Sequence, residues 1–174
     1  SLGTMVANLS SHKPGWDDRW EEFSDWAEKG QVLKDELIRL VDEDTNAFNR
    51  IMDAFGLPKG SEHEKAARTE AIQEATRYAI EIPFRVMKKS FETMEILKAM
   101  AETGNPNSVS DAGVGALAAR SAIMGAFLNV KINAAGLNDK AFVASVIAEG
   151  AEIERNARLM EEHILEIVNQ KINA

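Results

Sequence analysis

The feature that most constrains this 174-residue chain is a run near its end in which Val146, Gly150, Ile153, Ala157, Met160, Ile164 and Ile167 recur at alternating steps of four and three. That spacing keeps one face of an α-helix apolar over about six turns, whereas a strand alternates with period two. A seam this long needs neighbours packed along its length. Ile72, Ala75, Ala79, Ile82 and Val86 repeat the theme upstream. Pro83 sits inside that run, where its missing N–H predicts a kink or a break.

Between such runs the punctuation is brief: "KPG" at Lys13 to Gly15, "GLPKGS" from Gly56, "GNPNS" from Gly104 and "GLND" from Gly136. The last three open with a glycine suited to a left-handed C-cap and close with a Ser, Asn or Asp able to cap the next helix. Ser61 with Glu64, and more weakly Ser108 with Asp111, read as capping boxes. The predicted helices are 17–55, 61–103, 108–135 and 138–171, after an opening segment 1–11. No segment alternates like a strand. The expected fold is all-α, one domain over 1–174, an up-and-down bundle of long antiparallel helices. A helix of roughly forty residues is about 60 Å long, more than a compact domain of this size needs. Such helices expose their seams, which predicts a homodimer; the alternative is one elongated monomeric bundle.

Cysteine is absent, which removes disulfides, thiolate nucleophiles and cysteine-based zinc sites. With 20 Lys plus Arg against 28 Asp plus Glu the net charge is −8, so nucleic acid and anionic lipid are poor candidate partners. Charges interrupt the apolar runs and no signal peptide opens the chain, so the expectation is a soluble protein with no membrane partner, by default cytoplasmic.

Helix 17–55 carries a stripe through Phe23, Trp26, Gly30, Leu33, Leu37 and Leu40, then Phe48, Ile51 and Phe55, with Asp44 in the remaining place. A carboxylate on an apolar face must be paired, hydrogen-bonded or beside a cavity. Desolvation there favours the neutral carboxyl and brings it nearer the range where one group both takes and gives a proton. The other reading is a structural carboxylate paired with an Arg or Lys of another helix.

Helix 108–135 carries a stripe of small residues, Gly115, Ala118, Ala122 and Ala126, with Asp111 at one end and Asn129 and Asn133 at the other. Such a floor admits another backbone at close range or leaves room for a flat ligand whose polar edges the amides read. Close helix packing, with the asparagines as interhelical hydrogen bonds, is the competing reading. Gly113, Gly115 and Gly125 call for a compensating contact, because glycine inside a helix costs about 1 kcal/mol relative to alanine. Arg120 and Lys131 fall on the opposite side and are expected to face solvent or a neighbouring acid.

His12, His63 and His163 lack ligand spacing, so no metal site is expected. Arg85, Lys88 and Lys89 form a basic cluster, and Lys13 and Lys59 sit in turns; any of these could meet an anionic ligand tail. A basic cluster on a helix is usually its solvated face.

"LGTMVANLSSHK", "LVDEDTNAF", "GLPKGSEHEKAAR" and "GNPNSVSDAGVGALAARSAIMGAFLNVKIN", in this order, resemble the cyclodeaminase domain of the formiminotransferase-cyclodeaminase family, which also includes methenyltetrahydrofolate cyclohydrolases. The resemblance covers nearly the whole chain. It implies an all-helical homodimer that binds tetrahydrofolate derivatives and closes 5-formimidoyltetrahydrofolate to 5,10-methenyltetrahydrofolate, releasing ammonia, in histidine degradation and one-carbon metabolism. It further implies no metal or redox cofactor, the folate being substrate, and a separate formiminotransferase as partner. The second aspartate of the family's "VDxD" falls on Asp44, which the resemblance makes the acid/base group. Ser110, Asp111, Gly125, Ala126, Asn129 and Asn133 match family positions and are carried over as pocket or close-packing residues, with Lys13 as a candidate for the ligand's anionic tail. A cyclohydrolase is the second reading and a non-catalytic folate-binding or dimerising module the third. Family members usually have a glycine-rich "PGGGS"-like segment before "LGTMV", and this chain starts at Ser1 without it. The expectation is therefore either a fragment or a site that lacks one wall.

Overall fold

In the computed structural model, which describes residues 1–11 and 17–174, five α-helices follow one another: α1 (Leu2–Ser10), α2 (Trp20–Gly56), α3 (Glu62–Thr103), α4 (Val109–Ala134) and α5 (Lys140–Ile172). Short 3-10 turns occupy Asp17–Arg19 and Pro106–Ser108, and no strand occurs among the described residues. The all-α expectation holds, with each long helix within three residues of its predicted bounds. α3 is the central helix, packed on α2, α4 and α5; α4 lies against α5, and α1 leans on α2, α3 and α4. Short connections make α2 and α4 run in one direction and α3 and α5 in the other.

The Ser61 box forms as predicted: Ser61 N–H donates to Glu64 Oε2 at 2.7 Å and Glu64 N–H to Ser61 Oγ at 3.2 Å. The backbone donor at Ser61 holds the Glu64 carboxyl below its ordinary range. Ser108 differs from expectation and makes no side-chain cap, because the 3-10 turn runs directly into α4. Asn105 does the capping there, accepting from Asn107 N–H at 3.1 Å. Asp139 caps α5 by accepting from Phe142 N–H at 3.0 Å, which lowers its carboxyl, with Arg77 adding to the effect. The predicted left-handed glycine caps are also absent among the described residues. Gly104, at φ −70°, is there for space: a Cβ would strike the Met100 carbonyl at 2.5 Å and press on Val6 of α1 at 3.0 Å. The turn that follows holds α1, since Asn105 N–H donates to the buried Ser10 Oγ at 2.8 Å.

Two further expectations need correction. In the lower half of α2 the buried line is Leu40, Ala47 and Ala54, with Ile51 half-buried, so Asp44, Phe48 and Phe55 face outward. Both lines have helical spacing, but the alanines let α2 approach Ala79 and Ile82 of α3 closely, which phenylalanines would prevent. α3, for its part, runs unbroken through Pro83. Proline leaves the carbonyl four residues back without its donor. That carbonyl belongs to Ala79, and Asn133 Nδ2 from α4 donates to it at 2.9 Å.

Asn133→Ala is therefore expected to cost about 1–3 kcal/mol, the loss of a hydrogen bond together with an orphaned carbonyl. In a Pro83→Ala background the new N–H can reach Ala79 O, and the same Asn133→Ala change should cost less. A double-mutant cycle by urea denaturation reads the coupling; additive effects would rule this role out.

The small-residue helix is packed as its glycines require. A Cβ at Gly113 would press on Val168 of α5 at 3.3 Å, and one at Gly115 would strike Leu97 of α3. Gly125 has nothing within 4 Å and lies exposed. Arg120 faces α5 and is buried there, its side chain 11% exposed, donating to Glu154 at 2.9 Å with Glu161 at 3.5 Å. By length and composition the stretch Pro106–Ala134 is apolar enough to cross a membrane, contrary to expectation. Half of its apolar window is buried in the bundle.

Candidate functional site

Between α2 and α4, over α3, lies a cavity of about 440 Å³. Its α2 wall is Gly30, Lys34, Leu37, Ile38 and Val41, one helical line with little polarity. The α4 wall is Gly115, Ala118, Ala119 and Ala122, whose small side chains leave the space that larger ones would fill. Ser90, Thr93, Ile96 and Leu97 of α3 form the floor, and the start of α1 lines one side. α1 can lie this close because Gly30 has no Cβ; a methyl group there would strike Thr4 Oγ1. Size and apolar lining suit a flat organic molecule held by a few polar groups.

Asp44 follows Val41 by three residues, one turn further along α2, where the cavity wall ends. Because α2 and α4 run in the same direction, Gly125 follows Ala122 beyond the same end. Asp44 is exposed, so this chain alone does not supply the desolvation expected for it. Nor is it the paired structural carboxylate: no hydrogen bond or ion pair reaches it from the described residues. Its neighbour Glu43 takes Arg85, at 2.6 Å. The remaining basic residues of that cluster are likewise committed to ion pairs, Lys88 with Glu149 and Lys89 with Glu36 and Glu92. These pairs join α3 to its neighbours at the surface, away from the cavity lining.

The rest of the predicted set is dispersed. Ser110 is exposed and Asp111 half-buried in the first turn of α4, and neither lines the cavity. Asn129 is exposed; its Oδ1 accepts from Asn133 at 3.3 Å, and Asn133 is committed to Ala79. At that end of the small-residue stripe Asn133 holds α3 and Asn129 lies exposed, while the middle of the stripe lines one wall of the cavity. Lys13 and His12 lie outside the described residues. Lys34 was missed by sequence reasoning, although it shares one helical line with Leu37, Val41 and Asp44 at steps of three, four and three. No group of three or more metal-ligating side chains comes together among the described residues.

Residues 1–152 match the family model described as formiminotransferase-cyclodeaminase. A protein of Methylorubrum extorquens named methenyltetrahydrofolate cyclohydrolase is 36% identical over 173 residues, covering 99% of this chain and 83% of that protein. A Gallus gallus protein named formimidoyltransferase-cyclodeaminase is 37% identical over 142 residues; the match covers 82% of this chain and only 26% of that longer protein. The crystal structure of a formiminotetrahydrofolate cyclodeaminase from Thermotoga maritima superposes with a TM-score of 0.77, covering 99% of this chain and 80% of the other, at 24% identity. At that identity the likeness speaks for the fold.

Proposed function

Since the chain belongs to the formiminotransferase-cyclodeaminase family, we propose that it works on tetrahydrofolates at the carbon shared by N5 and N10, with Asp44 as the acid/base group. The observation that carries this is a carboxylate left without a partner one turn beyond the end of an apolar cavity. In the cyclodeaminase direction, N10 attacks the formimidoyl carbon on N5 and a tetrahedral centre forms. The formimidoyl group enters as its protonated amidinium, so attack leaves an exocyclic NH2; the N10 proton passes to Asp44, which delivers it to that nitrogen to make the NH3⁺ leaving group. The C–N bond then breaks, ammonia leaves, and 5,10-methenyltetrahydrofolate remains. One carboxyl suffices for both transfers if it is held near each nitrogen in turn.

The cyclohydrolase is the second reading, favoured by the Methylorubrum extorquens relative matched along 99% of this chain. There water adds to the methenyl carbon, Asp44 takes its proton, and the ring opens as a nitrogen is protonated. Following ammonia release and methenyl absorbance with each folate separates the two: ammonia with rising absorbance marks the deaminase, falling absorbance without ammonia the hydrolase. Neither signal from a folded protein that binds folate would leave the non-catalytic module.

The same reading includes a homodimer. Val41, Phe48, Met52 and Phe55 of α2 are exposed, as are Leu117, Leu128 and Ile132 of α4, Phe48 at 63% and Ile132 at 73%. Apolar surface on this scale is characteristic of an interface. A second copy laid over the α2 face would take Asp44, between Val41 and Phe48, out of bulk water. Sedimentation should give twice the monomer mass, and Phe48→Glu should return the monomer mass.

A further inference from the structure

We propose that Lys34 is the anchor for the anionic end of the ligand and so fixes its direction in the cavity: terminal carboxylates toward Lys34, the reacting N5 and N10 toward Asp44. This rests on the reading that the cavity takes a tetrahydrofolate. Such a molecule is polar at both ends, with a flat pterin and its reacting nitrogens, then a p-aminobenzoyl ring, then a glutamate bearing two carboxylates. The α2 wall has the same order of chemistry. Lys34 is the only charged side chain lining the cavity among the described residues, Leu37, Ile38 and Val41 follow as an apolar stretch, and Asp44 comes last. Ten residues separate Lys34 from Asp44, about 15 Å along the helix axis, leaving room for the ring and its amide between them. Opposite the apolar stretch stand Ala118 and Ala122, over which a benzoyl ring can lie flat.

Lys34 is also available. Its partner is the adjacent Asp35 at 3.3 Å, and both side chains are more than a third exposed, so the pair is weak and readily exchanged for a ligand carboxylate. Arg85, Lys88 and Lys89 form exposed ion pairs with acids of neighbouring helices, and none of the three lines the cavity. With the reverse direction the carboxylates would lie beside Asp44, where like charges repel.

The test is calorimetric binding of tetrahydrofolate and of its glutamate diamide, which has the same shape without the two charges. The wild-type protein should bind the diamide about five- to twelvefold more weakly, between the upper end for an exposed ion pair and the lower end for a hydrogen bond to a charged group. Lys34→Gln should weaken binding of tetrahydrofolate by a similar factor and bind both compounds equally, while Lys34→Arg restores most of the preference. Turnover at saturation should change little in Lys34→Gln, placing the effect in KM. If the wild type binds tetrahydrofolate but does not distinguish the diamide, or Lys34→Gln keeps the preference, the anchor is wrong and the functional reading stands. If the wild type binds neither compound, both fall.

Discussion

Asp44→Asn is expected to lower turnover by about 10²–10⁴-fold, the usual contribution of a positioned acid/base group. The amide keeps the side chain's shape but cannot take the proton of N10 or of water. No stabilising contact is lost, because within the chain the carboxylate is exposed and has no partner among the described residues, and a neutral amide is no harder than a carboxylate to cover with a second copy. Surface changes of this kind stay within about 0.5 kcal/mol, so Tm should shift by roughly 2 °C or less. A large loss of activity with unchanged Tm and unchanged folate affinity separates a chemical role from a structural one. Full activity in the variant would rule Asp44 out as the acid/base group.

Arg120→Met should have the largest effect on stability. The arginine is buried in α4 against two glutamates of α5, and removing it leaves Glu154 and Glu161 without their shared cation. Breaking a fully buried pair from one side costs about 3–5 kcal/mol; with Glu161 19% and Glu154 36% exposed the loss is up to about 3 kcal/mol, which for a chain of this size lowers Tm by up to roughly 10 °C. Adding Glu161→Met should recover part of the loss, because an apolar pair of similar volume needs no compensating charge. Thermal unfolding of the single and double variants reads this directly, and a double variant no more stable than the single would contradict it. Arg120 lies on the side of α4 away from the cavity wall formed by Ala118 and Ala122.

Much of this architecture is legible in the sequence because helix ends carry local chemistry. Ser61 with Glu64 and Asp139 act on their own first turns, so their roles can be read without knowing the fold. The seam of α5 is equally plain, since Val146, Gly150, Ala157 and Ile164 are all buried. What depends on distant partners is not legible. Asn133 matters because α3 places Ala79 beside it, and nothing within α4 announces that pairing. The lower half of α2 misleads for a related reason: phenylalanine outranks alanine in apolarity, yet close helix approach selects Ala47 and Ala54 for the inside.

The site shows the same division. Asp44 stands out in the sequence as an acid among apolar residues, on the premise of a buried face that this chain does not bury. It nevertheless lies next to the cavity, because its apolar neighbours belong to an outward stripe rather than the core. The glycine and alanines of α4 are recognisable in the sequence as small-residue lining, whereas nothing local to Lys34 sets it apart from a solvated lysine; α1, α3 and α4 enclose the space beside it. A charge acquires meaning from the walls around it, and those walls come from four helices.

The most direct test of the account is a crystal structure of the protein with a tetrahydrofolate bound. The benzoyl ring is expected between α2 and α4, with an Asp44 oxygen within about 2.6–3.2 Å of N10, or one water away. A folate seated elsewhere, or one in the cavity with N5 and N10 turned away from Asp44, would contradict it.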